Sequence, residues 1–250
     1  MKFARYEAHG ETAYGVVEGG AVRQLTASPF DEHEVTDHAH ALSEVRLLAP
    51  CTPSKIYFMG GNYSDHLGGA EPPAFPQVYI KTPNSIIGPG ETIVVPGRAG
   101  SVQEEAELVA VIGKPCRNVS EADALDYVLG YTCGNDVSAR DWQRSDPTFW
   151  RAKASDTFSP IGPYIVTGLD PSKLTLRARV SGEQVQECKT SDMIFDTAAC
   201  ISYISQSVTL EPGDIIYTGT GGTQVDLKQG DVVEIEIDEI GVLTNPVVVE

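Results

Sequence analysis

The chain has 250 residues, is 41% hydrophobic and 8% aromatic, and carries a formal charge of −17 at neutral pH. That composition suits a soluble globular protein with one substantial core and a small appendage, and the missing basic footprint weighs against nucleic acid or an anionic membrane surface as a partner. No run reaches the roughly 18 apolar residues of a membrane span, and the N-terminal MKFARYEAHGE has no hydrophobic signal core, so a cytoplasmic protein is expected.

Residues 1–48 hold short strand-like pieces, FARYE, TAYGVVE and AVRQL, separated by Gly10 and Gly19-Gly20, and read as a small N-terminal β domain. The tract DEHEVTDHAHAL contains three of the five histidines. Its loose spacing and interleaved acids favour a solvated loop or helix start over a metal tract. Pro50 and Pro53 mark the boundary to a main domain over 49–250. There Lys55–Met59 reads as a strand, Gly60-Gly61 as a turn and Asn62–His66 as a short helical or irregular turn. Two glycines and three prolines from Gly68 to Pro76 forbid a regular helix and make a loop, a candidate lid.

VYIK and TIVV follow as strands, and then comes the stretch Ser101–Gln143 on which the rest is organised. Read as a strand, SVQEEAELVAVIGK puts Glu105, Glu107, Val109 and Val111 on one face and Glu104, Ala106, Leu108, Ala110 and Ile112 on the other. Two residues rise about 6.5 Å, so the Glu105 and Glu107 carboxylates can converge on one cation. Asp136 ends the apolar run Tyr127–Cys133 just after a Gly134-Asn135 turn signal and is the candidate third ligand. Three carboxylates with no nearby His or Cys suit Mg²⁺, Mn²⁺ or Ca²⁺ better than Zn²⁺, although an E-x-E word by itself is more often a solvated strand face.

Further on, GPYIVTG and LTLRARV read as strands, VSGEQVQE as a hairpin through Ser181-Gly182, and MIFDTAACISYISQSV as the one long helix. LEPGDIIYTGT is a turn and a strand. VVEIEID alternates strictly, with Val233, Ile235 and Ile237 inward and Glu234, Glu236 and Asp238 on a solvated face. Strands dominate without βα alternation, so the fold class is α+β, mainly β. The five cysteines are odd in number and lack a C-x-x-C word, which indicates reduced, buried thiols. Cys133 as a nucleophile is a minor alternative, since no His lies near it in sequence.

In this order, EEAELVAVIGK, GYTCGNDVSARDWQ, KASDTFSPIGPYIVTG, LEPGDIIYTGT and GDVVEIEIDEIGVLTNPV resemble the fumarylacetoacetate hydrolase family over about residues 53–250. The resemblance implies a mixed β-sandwich roll, usually assembled as a homodimer, with Glu105, Glu107 and Asp136 as ligands of a divalent cation. It further implies that Asn62, Tyr63 and His66 match an N-Y-x-x-H-x-x-E word supplying a general base and its orienting carboxylate, with Tyr63 at the substrate. The acid of that word is replaced by Gly69, which leaves Asp65 or Glu71 as possible substitutes. Lys153 matches a lysine that meets a substrate oxygen, Arg140 and Gln143 flank the metal or substrate, and Thr220 matches a position that meets a substrate carboxylate. Gly221 stands where the family commonly has Pro.

The activity expected first is hydrolysis of the carbon–carbon bond of an acylpyruvate-type 2,4-diketo acid, with His66 activating water and Lys153 stabilising the oxyanion. Gly69 keeps open a decarboxylase or a keto–enol tautomerase of a 2-oxo acid, which need the same enolate without activated water, and a sugar-acid dehydratase is a further option. The rivals are a non-catalytic scaffold and a metal-independent hydrolase.

Overall fold

The computed structural model describes residues 1–250, and strands dominate it. The N-terminal segment is a meander of β1 (Lys2–Ala8), β2 (Glu11–Glu18), β3 (Ala21–Leu25) and β4 (Val35–Ala41), with β5 (Arg46–Leu47) pairing back on β1. β4 occupies the tract expected to be a loop or helix start. It is an edge strand held by its ladder to β3, and both of its faces are largely wet, so it lacks the alternation that marks a half-buried strand. The meander is joined to the main sheet through its first strand. β1 pairs antiparallel with β14 (Ser159–Val166) at Lys2↔Val166 and Phe3↔Ile165, which makes it the outer part of the main sheet.

That sheet continues through β12 (Val128–Asn135), β11 (Ala106–Ile112), β17 (Ile215–Tyr217), β6 (Ile56–Gly60) and β7 (Gln77–Lys81), with β8 (Ile86–Ile87) beside β14. A second, five-stranded sheet runs β16 (Glu183–Lys189), β15 (Thr175–Val180), β18 (Val232–Ile237), β19 (Gly241–Val249) and β9 (Ile93–Val95). A two-stranded ladder joins β10 (Val102–Gln103) and β13 (Ser138–Ala139). The helices are short: α1 (Glu121–Ala124), α2 (Arg140–Ser145), α3 (Trp150–Ala154) and α4 (Thr197–Ser205). α4 is the longest, yet it covers only the centre of the tract that the 3.6-residue period suggested. Asp196 accepts a hydrogen bond from Ala199 N and caps it there, so Met193–Phe195 stay outside the helix as a bent lead-in. No helix is long and apolar enough to cross a membrane.

β11 ties the two cores together. Ala106, Leu108, Ala110 and Ile112 belong to the larger core toward the second sheet, whereas Val109 and Val111 belong to a core on the opposite face with Phe58, Ile161 and Tyr217. Glu105 and Glu107 have the parity of Val109, so the acids lie at the end of an apolar face that is itself covered.

Candidate active site

β11 starts at Ala106, and the chain breaks its ladder at Glu104-Glu105 where it leaves β10. The partner strand breaks opposite: Asp136 N donates to Glu105 O (3.0 Å), and Glu105 N donates to Asn135 Oδ1 (3.0 Å). Gly134-Asn135 is therefore the end of β12 and not a turn. Gly134 serves close packing, because a Cβ there would fall 2.3 Å from Val109 Cγ2 and 2.5 Å from Tyr217 Cε1. Two strand ends meeting in this way deliver Glu105, Glu107 and Asp136 to one point, with carboxylate oxygens all within 4.8 Å of one another. All three residues are buried.

Such a cluster is costly without countercharge. Lys153, on α3, donates to Glu105 Oε2 and Asp136 Oδ2, both at 2.6 Å. Arg140 Nη2 donates to Glu105 Oε1 (2.6 Å), while Nε and Nη1 donate to Gln103 Oε1 (2.8 Å) and Gln143 Oε1 (3.0 Å). Lys81, at the end of β7, is a fully buried cation that sequence reasoning missed. Its Nζ donates to Lys153 O (2.5 Å) and Phe158 O (2.7 Å) and lies 2.7 Å from Asp136 Oδ1. That last contact is off the hydrogen-bonding direction, so Oδ1 is buried without a donor.

The carboxyls are unequal in consequence. Burial, reinforced by the like charges of Asp136 and Glu105, pushes Glu107 well above the usual carboxylate range. Its carboxylate oxygen Oε2 accepts a bond from Gly219 N (2.6 Å). Burial also works to raise Glu105, but Lys153 and Arg140 outweigh it and hold that group low. Burial lowers Lys153, and Asp136 and Glu105 more than reverse it. The trio fits a hard divalent cation: an all-oxygen donor set, one carboxylate oxygen without a donor, and a spread that a metal–oxygen distance of about 2.1–2.5 Å closes with small side-chain movements.

These groups open on a cavity of about 300 Å³, at the small end of ligand sites. Larger clefts of about 610 and 440 Å³ lie elsewhere without such a buried cluster, so chemistry and not size marks the site. Of the residues singled out from the sequence, His66, Glu105, Glu107, Arg140, Gln143, Lys153 and Thr220 line it, together with Phe58, Met59 and Phe149. Asp136 sits behind them as the carboxylate shared by Lys153 and Lys81.

Tyr63 is not on the wall. It is 1% exposed, and it packs under the 219–222 loop, where a Cβ on Gly221 would fall 2.8 Å from its ring. The hydroxyl of Thr220 is already engaged, donating to Ala106 O (2.8 Å) and accepting from Gln186 Nε2 (2.6 Å), so it builds the wall. Asn62, next to Tyr63, donates to Thr218 O (2.7 Å) and Phe195 O (2.9 Å) and fixes the loop against the α4 lead-in. Cys133 is buried with its thiol 3.4 Å from Gly241 O, and burial pushes it up, which leaves no reactive thiolate there.

His66 lies in a one-turn 3-10 helix, Ser64–Leu67, with Nε2 3.6 Å from Glu105 Oε1; burial lowers it, against the pull of Glu105. Asp65, one of the two substitutes left open for the acid missing at Gly69, has its carboxylate engaged elsewhere and accepts from Gly222 N (2.8 Å).

The comparisons with known proteins agree with this geometry. The family model described as fumarylacetoacetate (FAA) hydrolase C-terminal matches residues 55–248, and the model Rv2993c-like, N-terminal, matches 1–50. A Xenopus laevis protein named oxaloacetate tautomerase fahd2, mitochondrial, is 42% identical over 245 residues, covering 92% of this chain and 76% of its own. A crystal structure of 5-carboxymethyl-2-hydroxymuconate delta-isomerase from Mycobacterium smegmatis superposes with TM-score 0.95 at 41% identity, with 100% of both chains covered. The maleylpyruvate hydrolase from Sphingobium sp. SYK-6, in complex with manganese(II) and pyruvate, gives TM-score 0.83 at 30% identity, covering 100% of this chain and 99% of the other. Hydrolases, isomerases and tautomerases thus share this scaffold, and by the match of most of its length this chain belongs to the fumarylacetoacetate hydrolase family.

Proposed function

We propose that the protein is a divalent-metal-dependent enzyme that interconverts enol and keto forms of a small 2-oxo acid, leaving its carbon skeleton intact. The observation that carries this reading is that His66 has no carboxylate of its own. Position 69 is Gly, Asp65 is engaged by Gly222 N, and the acid that His66 meets is Glu105, already shared with Lys153 and Arg140. Activating water for carbon–carbon cleavage calls for an imidazole whose basicity is raised by a dedicated acid, whereas moving one proton at the acidic carbon beside a ketone asks less of the base. The relatives named tautomerase and isomerase are also nearer in sequence than the maleylpyruvate hydrolase.

In this reading Glu105, Glu107 and Asp136 hold the cation, which when bound supplies Lewis-acid stabilisation of charge on the substrate oxygen. Arg140 and Lys153 place positive charge on the cavity side of an acidic protein and so draw in a carboxylate. The three bonds of Arg140 fix its plane, so it orients that carboxylate at little cost in side-chain freedom. His66 takes the proton from the carbon next to the ketone and returns it at the oxygen. Phe58, Met59 and Phe149 keep water off the inner wall, which strengthens each of these interactions. The homodimer belongs to the same proposal.

Hydrolysis of an acylpyruvate, the first expectation from the sequence, is the second reading, supported by the hydrolase neighbour that holds manganese and pyruvate. The metal-loaded protein presented with the enol of oxaloacetate, and separately with acylpyruvates, separates the two by enol absorbance and NMR of products. Faster enol loss with the skeleton intact supports tautomerisation. Acid plus pyruvate from an acylpyruvate, formed faster than the exchange, sinks it in favour of hydrolysis, and pyruvate plus carbon dioxide from oxaloacetate sinks it in favour of decarboxylation.

A further inference from the structure

Far from the carboxylate centre, β4 forms the outer edge of the large sheet. Residues two apart on a strand share a face, so His38 and His40 stand side by side. Their Nε2 atoms are 3.1 Å apart, and their rings meet edge to face with centroids 4.7 Å apart. The His40 ring is set from the other side by Tyr6, edge-on at 5.9 Å, and by His9 at 5.7 Å. His9 belongs to the β1–β2 turn with Gly10, where its backbone is left-handed at φ 53° and its side chain is exposed. Three of the chain's five histidines thus gather at one spot on a protein of charge −17.

From these contacts we propose that His38 and His40, joined by His9, form a second metal site selective for borderline transition ions such as Zn²⁺, Ni²⁺ and Cu²⁺. Two imidazole nitrogens bound to one ion at about 2.05 Å lie about 3.3 Å apart at a tetrahedral angle and about 2.9 Å apart at a right angle. The observed 3.1 Å, a hydrogen bond between the two rings, falls between, so an ion that replaces the shared proton needs only a small adjustment of the pair, and His9 reaches the same ion by rotating its exposed side chain. The donor set separates this site from the first one: neutral imidazoles suit borderline ions, while the buried carboxylates suit Mg²⁺, Mn²⁺ or Ca²⁺. The cluster stands on the rim of the N-terminal meander, so the ion it takes is outside the reaction proposed above.

The test is calorimetric titration of Ni²⁺ into the full, untagged chain with the carboxylate centre saturated by Mg²⁺. One Ni²⁺ per chain is expected, weakened at least about tenfold in His38→Ala and in His40→Ala and less in His9→Ala. All three variants keep the turnover of the Mg²⁺-loaded protein, since these residues are exposed or partly exposed and remote from the cavity. Cu²⁺ paramagnetic resonance should show nitrogen splitting that His38→Ala reduces, and Glu105→Gln should leave the Ni²⁺ isotherm unchanged. No Ni²⁺ binding beyond the carboxylate centre, or an isotherm that His38→Ala leaves untouched, overturns the proposal.

Discussion

Two strands of this protein carry the same word, and it has opposite fates. In β18, Glu234 and Glu236 alternate with Val233, Ile235 and Ile237, and the acids face water, with Arg179 Nη1 2.6 Å from Glu236 Oε2 at roughly one-third exposure on both sides. At the head of β11, Glu105 and Glu107 alternate in the same way and are buried with Asp136, Lys81 and Lys153. Strand periodicity assigns both pairs to one face and says nothing of what lies over it. In β11 that face is covered by α3, the end of β7 and the 219–222 loop, so the carboxylates lose water and must find cations. In β18 it is open, and the ion pairs are optional.

The sharpest way to break this comparison is to neutralise one acid in each strand. Glu107→Gln removes a candidate ligand and should lower metal affinity at least about 100-fold, with turnover falling in parallel. Glu236→Gln should leave both within about twofold, as expected of a surface pair. Calorimetry with Mn²⁺ and enol–keto exchange rates read the two outcomes, and equal effects would show that burial does not distinguish the pairs.

The next largest contrast is between the cations. Lys81→Met removes the charge beside Asp136 in a place water does not reach, and breaking a buried pair in this way costs about 3–5 kcal/mol. Arg179→Ala, cutting the pair to Glu236, should cost about 0.2–1 kcal/mol. Urea unfolding of the metal-free proteins measures both. A smaller effect tests the cover itself. A Cβ on Gly221 would meet Tyr63 at 2.8 Å, Asp65 at 3.0 Å and Cys188 at 3.2 Å, so Gly221→Ala should cost about 1–3 kcal/mol of overpacking and slow turnover by displacing the loop that carries Gly219 and Thr220. The same change at Gly230, where no atom lies within 4 Å but φ is 85°, should destabilise through the backbone alone and spare turnover.

The same distinction explains what was legible in the sequence. Alternation placed β11 and β18 and aligned Glu105 with Glu107, and an apolar run placed β12, because those facts are local. Lys81 was invisible: VYIK reads as an ordinary strand ending in a solvated lysine, and only the packing of α3 on β7, with the Lys153 and Phe158 carbonyls turned to its ammonium, buries it. Tyr63 was misplaced because it stands just before the one-turn 3-10 helix with extended backbone, so its side chain does not follow that of His66, three residues on. β4 was misread because an edge strand with two wet faces carries no amphipathic signal. Glu104 escaped for the reason that Glu107 was found: the parity is clear, but nothing local tells that Val225 N caps its carboxylate and that burial pushes it up to about 7.

The smallest effect lies at the open end of β18, where the comparison can be sharpened by acid. Asp238 accepts from Arg177 Nη1 at 2.8 Å, and that hydrogen bond holds its carboxyl below the usual range against a modest desolvation. A carboxyl depressed on folding contributes stability that is fully present above its unfolded value of about 3.9 and is lost as pH falls through the lower folded value. The Asp238 carboxyl carbon, followed by NMR, should therefore titrate below the ordinary aspartate midpoint. In Arg177→Ala it should return toward that midpoint, with a slight loss of stability at neutral pH that disappears once pH has fallen through the lower folded value. High salt should shrink the shift, since the pair is partly exposed and screened. A midpoint indifferent to Arg177 would mean that even hydrogen-bonded partners on this open face do not feel one another, and that cover alone gives an E-x-E word its chemistry.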